Sequence, residues 1–225
     1  MPEIFDPIAS TYDAWYQEEL GRVVDEIEKQ MVYELLEPEP GMRLLDVGCG
    51  TGNYALELAR RGLQVVGVDV SGAMLEVARR KARDRGVELR LIQADIAELE
   101  LEPGSYDAVL SVTALEFFRE PARVLDKCYE ALRPGGRLVV GVIAEGPWAR
   151  FYRQRAQEDP GSVFNHAIFY TAQDLLDLLP RGRTTVREGL RFPPDMEGFS
   201  RERALARERG DGEPGFVCVR WVKEP

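Results

Sequence analysis

The chain has 225 residues, and at roughly 150 residues per domain that suits one domain with embellishments, long enough to bury a core without disulfide or metal staples. Hydrophobic residues make up 44% and charged residues 30%, the ordinary balance of a soluble globular protein. Acidic residues outnumber basic ones 39 to 29, a formal net charge of −10 that argues against a phosphate-backbone binder, so no nucleic-acid partner is expected.

Three cysteines (Cys49, Cys128 and Cys218) cannot complete a disulfide framework, and no pair has metal-ligand spacing. The start, Met1-Pro2-Glu3-Ile4-Phe5-Asp6, lacks a basic region followed by an apolar run. The apolar stretch around Leu138 to Ala144 is too short for a membrane span. These features predict a cytoplasmic protein with no bound metal.

The first 37 residues read as helical. Ser10 and Asp13 have capping-box spacing, and Val23, Ile27, Met31 and Leu35 recur at helical intervals until the Pro38/Pro40 break. Strands and helices then alternate. Strands are predicted at 43–47, 64–68, 87–92, 106–111 and 137–143, with helices between them, one capped by Ser71 and one opened by Pro121. That alternation predicts a parallel sheet buried on both faces. Trp148 to Tyr170 is aromatic and irregular. Thr171 with Asp174 opens a further helix, and strands at 184–190 and 216–222 are predicted to form an antiparallel edge. The arginine-rich stretch 181–209, which overlaps the first of these strands, reads for the most part as a solvated helix with charges paired at i, i+4. The fold expected is α/β: a Rossmann-like, doubly wound, seven-stranded, mostly parallel sheet whose last strand is antiparallel. It is one domain over 1–225, with a helical cap at 1–40, a core at 41–144, and a lid with the edge strands at 145–225.

The chemistry concentrates at Leu44-Leu45-Asp46-Val47-Gly48-Cys49-Gly50-Thr51-Gly52-Asn53. A glycine-rich turn between a first strand and a first helix brings backbone N–H groups close to a ligand. The dinucleotide pattern needs glycine or alanine where this chain has Asn53, and Asp46 would repel a pyrophosphate. A ligand with positive charge near the loop suits that carboxylate. Asp69 closes the second strand 21 residues after Gly48, the place for an acceptor of ribose hydroxyls. Asp95 follows the third strand, where it would take a hydrogen bond from an exocyclic amine, with Val70 and Ile96 sandwiching a purine. Each acid alone is as readily a helix cap. Three in register with a glycine turn point to one crevice.

These residues resemble the class I S-adenosylmethionine-dependent methyltransferases, within them the small-molecule type 11 group that includes relatives of the ubiquinone/menaquinone C-methyltransferases. The resemblance runs from about Phe5 to Leu190. Asp46 to Gly52 is similar to the family's first motif, Val68-Asp69-Val70-Ser71 with Met74-Leu75 to the second, and Ala94-Asp95 to the third. Tyr106-Asp107-Ala108-Val109 is similar to the fourth, and Leu132 to Gly136 to the turn before strand five. The resemblance implies S-adenosylmethionine as cofactor and S-adenosylhomocysteine as product. Asp46, Gly48, Gly50 and Gly52 would then face the methionine part, with Cys49 a small filler among them, and Ser111 would lie beside the sulfonium. The segment Phe5-Asp6 to Trp15-Tyr16 is similar to one that folds over the cofactor, which places Tyr12 and Tyr16 on the pocket.

The family chemistry is in-line attack on a sulfonium methyl, for which the protein supplies alignment and dryness, and a base only where the acceptor must lose a proton. His166, the sole histidine, is the candidate base. Glu116 and Phe117, after the fourth strand, and Phe169, in the lid, are candidates for the acceptor site. A small-molecule acceptor and a monomer or homodimer are expected. A non-catalytic cofactor-binding protein stays open as an alternative. An NAD-dependent oxidoreductase is disfavoured by Asn53, by Asp46 and by the lack of a recognisable Tyr-x-x-x-Lys pair.

Overall fold

The computed structural model describes residues 4–224. Helix α1 (Glu19–Leu36) is followed by β1 (Arg43–Val47), α2 (Asn53–Arg60), β2 (Gln64–Asp69), α3 (Gly72–Arg85), β3 (Arg90–Gln93), β4 (Tyr106–Val112), α4 (Pro121–Glu130) and β5 (Leu132–Ile143). The chain then forms α5 (Pro147–Glu158), α6 (Ala172–Leu178), β6 (Arg183–Gly189), α7 (Arg201–Glu208) and β7 (Phe216–Val222). The seven strands lie in the order β3-β2-β1-β4-β5-β7-β6. Strands β1 to β5 pair in parallel, and β7 is antiparallel to both neighbours. The antiparallel strand is therefore interior, and β6 forms the edge that sequence alone assigned to the two late strands together.

Successive strand residues point to opposite faces, so each strand feeds two cores. On one face Leu44, Ala108, Leu110 and Val139 pack with α1 and α2. On the other, Leu45, Val109, Leu138 and Val140 pack with α4 and α6. Helix α1 ends at Glu37, which has φ 45° and holds Arg137 and Arg220. Among the described residues no helix is long and apolar enough to cross a membrane.

Three local expectations change. The Ser10–Asp13 capping box does not form. Residues Tyr12–Gln17 are a 3-10 helix, α1 starts only at Glu19, and Asp13 bonds elsewhere. The stretch read as irregular begins with α5, where Pro147 takes the first helical position and Trp148 anchors the helix by donating from its indole to the Phe192 carbonyl at 2.7 Å. In α7 no i, i+4 ion pair forms among the described residues: Arg201 instead meets Glu26 of α1 at 2.5 Å, and Arg203 donates to the Glu197 and Gly198 carbonyls.

Strand β5 positions the end of β4. The Gly141 carbonyl accepts from the Thr113 N–H at 2.8 Å, just where Thr113 takes a left-handed φ of 49°. A Cβ on Gly141 would lie 2.4 Å from Cζ of the fully buried Phe216. Gly141→Ala is therefore expected to destabilise the protein by about 1–3 kcal/mol in denaturant unfolding, with partial recovery in the double variant that adds Phe216→Leu. An unchanged midpoint for the single variant would contradict this packing.

Candidate active site

The site forms where the strand order reverses, at the carboxyl ends of β1 and β4, the usual ligand crevice of a doubly wound sheet. The cleft there encloses about 1450 Å³ including its open mouth. Leaving β1, the chain bends sharply at Gly48, with φ 71°. A side chain at Gly48 would also collide with Ala114, since its Cβ would come within 2.4 Å of the Ala114 Cβ. Only glycine satisfies both conditions.

Asp46, the last residue but one of β1, is only 4% exposed, and no basic side chain pairs with it among the described residues. Burial, reinforced by the nearby Asp69 carboxylate, pushes its carboxyl up to about 7. Asp69 accepts the Gly50 N–H through one oxygen and the Ser71 N–H through the other, each at 2.8 Å. Burial raises its carboxyl, and those amides work against the rise. Asp69 thus braces the glycine loop while each oxygen keeps a lone pair for a ligand. Asp95, exposed at the cleft, caps its own turn by accepting from the Ala97 N–H at 2.9 Å. Val70, Met74 and Ile96 form apolar walls beside it. Cys49 also lines the cleft. Its thiol, pushed well up by desolvation and by the neighbouring acids, packs over Gly67, where a Cβ would come within 2.8 Å of the Cys49 sulfur. It is a neutral filler.

The N-terminal cap covers the cleft with Phe5, Tyr12 and Tyr16. The rings of Tyr12 and Tyr16 sit 6.0 Å apart. The cap is latched by acids. Asp13 accepts from the Thr51 hydroxyl at 2.7 Å, from the Asn53 amide at 3.3 Å and from the Lys81 ammonium at 2.7 Å, and Lys81 also reaches the Asn53 carbonyl oxygen at 2.7 Å. Burial pulls Lys81 down and Asp13 holds it up. Asp6 accepts from the Ser71 hydroxyl. Asn53, the residue that breaks the dinucleotide pattern, is thus part of the latch.

Twelve of the positions singled out in the sequence line the cleft, and five do not. Gly52 instead starts α2 in a left-handed conformation, tight against Ala78 and Leu56. Ser111 is buried in β4 with its hydroxyl unpartnered. The chain turns at Thr113, so Val112, Thr113 and Ala114 face the cleft in its place. Glu116 is buried and does not line the cleft, whereas the next residue, Phe117, does. Phe169 is buried under Arg153, whose guanidinium is 4.9 Å from the ring centre. His166 is exposed at the end of the 3-10 turn Val163–His166 and does not reach the cleft. Lining residues that sequence reasoning missed include Tyr54, Thr113 and Ala114. The only signal for the last two was their place directly after a strand. No group of three or more His, Cys, Asp or Glu able to hold a metal occurs among the described residues.

Residues 45–140 match the methyltransferase domain family. The ubiquinone biosynthesis O-methyltransferase of Alkalilimnicola ehrlichii is 32% identical over 166 residues, covering 73% of this chain and 61% of that protein. The demethylmenaquinone methyltransferase of Thermus thermophilus is 44% identical over 100 residues, 44% of this chain and 46% of that one. The chain spans less than two thirds of the length of these curated relatives. A crystal structure from Thermotoga maritima, described as an S-adenosylmethionine-dependent methyltransferase and possible histamine N-methyltransferase, superposes over 100% of both chains with a TM-score of 0.77 and 28% identity. The sheet order, the glycine turn and these matches together define a class I methyltransferase fold. Residues 45–140 thus resemble a methyltransferase domain, and the whole chain shares the fold of the Thermotoga maritima protein.

Removing the Asp13 carboxylate breaks three hydrogen bonds, including one to an ammonium, at a cost of about 1–3 kcal/mol to the closed cap. Asp13→Ala is expected to speed amide hydrogen exchange over residues 12–17 at least tenfold while β4 and β5 keep their protection. Equal protection of the cap in both proteins would mean that the apolar contacts alone hold it.

Proposed function

We propose that this chain transfers the methyl group of S-adenosylmethionine to a small-molecule acceptor, as a single methyltransferase domain with its cap at 1–40, core at 41–144 and lid and edge strands at 145–225. The observation that carries the reading is Asp46, a buried carboxyl without a cation at the head of the glycine turn. Such a group favours a ligand that brings positive charge, as the cofactor's ammonium and sulfonium do, and disfavours a pyrophosphate. In this reading Asp46, Gly48 and Gly50 hold the methionine end. Asp69 takes the ribose hydroxyls on its free lone pairs, Asp95 takes the adenine amine, and Val70 and Ile96 cover the ring. Tyr12 and Tyr16 close the cap and exclude water.

When bound, the cofactor supplies an activated methyl group. The protein's task is to align an acceptor with it in a dry cleft, and the transfer neutralises charge rather than creating it. The relatives' names, which concern quinone biosynthesis, support a small-molecule acceptor. Cys49, Cys128 and Cys218, all free and buried, suit the reducing cytoplasm proposed for the chain.

The test is calorimetric titration with S-adenosylhomocysteine and with NAD. S-adenosylhomocysteine is expected to bind and NAD not to; NAD binding alone would overturn the reading. The pH dependence follows from Asp46, which the Asp69 carboxylate and the Cys49 thiol face. Its carboxyl titrates at about 7 without ligand, and the ligand's ammonium favours the charged form. Above that pH the site is already ionised and affinity is flat. Below it binding must expel a proton, so affinity falls by up to about tenfold per pH unit. Asp46→Asn is expected to weaken binding at least tenfold at pH 8 and to remove the slope, and a flat profile in the native protein would exclude Asp46 as the ammonium partner.

A further inference from the structure

Three residues other than glycine take a left-handed φ among the described residues: Glu37 at 45°, Thr113 at 49° and Leu190 at 56°. Glu37 closes α1, where helices commonly make this turn. Leu190 follows β6, and its N–H is accepted by the Glu208 carboxylate at 3.1 Å. Thr113 directly follows β4 and is the only one of the three branched at Cβ, the side-chain type that tolerates this conformation least. It is also the only one that lines the cleft. Such a conformation persists only where the surroundings impose it, and here they do so from two strands. The Gly141 carbonyl of β5 accepts the Thr113 N–H at 2.8 Å, and Ala114 fills the space beside Gly48 at the end of β1. The Glu116 carboxylate then ties the following turn to β5 by accepting the Ile143 N–H at 2.8 Å.

Strand order decides what Thr113 faces. Asp46 lies in β1 and the glycine turn follows it, Asp69 ends β2, and Asp95 follows β3. Every group assigned to the cofactor therefore stands at the β3-β2-β1 side of the cleft, and β4 lies beyond β1 on the other side. A cofactor spread along the first three strands leaves the end of β4 to face its reacting centre. That end supplies Val112, Thr113 and Ala114 to the cleft, and only Thr113 among them carries a polar side chain. Thr113 also borders the cap. Burial pushes the Tyr12 hydroxyl up, and the side chains of Tyr16 and Thr113 work against the rise. All three line the cleft.

Resting on the methyl-transfer reading above, we propose that Thr113 is the residue that touches the methyl group in transfer, and that its left-handed backbone is what turns the hydroxyl to that place. The hydroxyl oxygen offers lone pairs to a methyl group that carries part of the sulfonium's positive charge, and so holds it in line for an acceptor. Being neutral, the hydroxyl suits a step in which that charge is lost. A carboxylate at the same place would hold the charged ground state more tightly than the transition state, and would slow the transfer. Thr113 itself exchanges no proton or electron pair. The acceptor's lone pair forms the new bond to the methyl carbon as the S–C bond breaks, and the S–C pair stays on sulfur.

The experiment needs no acceptor. The full chain and its Thr113 variants are titrated with S-adenosylhomocysteine and with sinefungin, an analogue that carries an amine where the cofactor carries the methyl group. In Thr113→Val the affinity for sinefungin relative to S-adenosylhomocysteine is expected to fall about fivefold, the worth of one hydrogen bond, while Thr113→Ser keeps the native ratio within about twofold. Thr113→Gly and Thr113→Ala read the backbone. Both lack the hydroxyl, and the glycine variant is expected to unfold at the higher denaturant midpoint, the reverse of their order at an ordinary strand position. A native ratio in Thr113→Val would overturn the inference, as would an alanine variant more stable than the glycine one. Where Thr113→Val does not fold, Thr113→Ala carries the same comparison of ligands. Failure of the native protein to bind S-adenosylhomocysteine would instead overturn the methyltransferase reading, and that titration is run first.

Discussion

A carboxyl group buried against its own preference organises the carboxyl edge of the sheet. Asp46 belongs to β1, the strand between β2 and β4, and cannot swing out to water without breaking the sheet. The chain beyond it must therefore wrap round a group that wants a cation. It does so by turning left-handed at Gly48 directly against Ala114, which brings the ends of β1 and β4 together. Asp69 then fixes the far side of the loop through the Gly50 amide. The loop is held by one acid and shaped around another, and neither part would stand without the parallel register that sets Asp46 beside Gly67 and Leu110.

The cap depends on the same loop. Thr51 and Asn53 lie just beyond the glycines, Lys81 lies on α3, and Asp13 reaches all three. Asp6 does the like with Ser71, whose hydroxyl also accepts the Met74 N–H at the start of α3. Two short acidic contacts thus fasten a segment with little core of its own to α2, which follows the glycine turn, and to α3, which follows β2. A 3-10 helix of six residues would not hold its shape alone. Its order is borrowed from the site it covers.

This explains where the sequence could be read and where it could not. The strands, the Ser71 cap and the Thr171–Asp174 capping box are local, set by neighbours a few residues away, and they formed where expected. Asp46, Asp69 and Asp95 were legible because strand alternation puts all three at one edge. Asp13 had the spacing of a local cap but a better offer from Lys81, and no window of sequence shows a residue 68 positions away. Ser111 was misplaced by a two-residue turn at Thr113, whose left-handed φ has no glycine to announce it. His166 attracted attention by its chemistry alone, and the chain leaves it in solvent.

The acids at this end of the molecule divide by how they are satisfied. Asp69 and Asp95 are the less buried ones, and each accepts backbone N–H groups, so folding has already used part of their hydrogen-bonding capacity. Asp46, Glu28 and Glu116 are the deeply buried ones, and no lysine or arginine pairs with them among the described residues. Burying them costs stability, and their raised carboxyls record that cost. In a chain with 39 acidic and 29 basic residues, the cations that form ion pairs meet acids nearer the surface, such as Glu37 and Glu130, and none meets these three among the described residues. Of the three, only Asp46 lines the cleft, and an unpaired acid gains most from a cation where water is absent, which is the physical ground for expecting a positively charged ligand there.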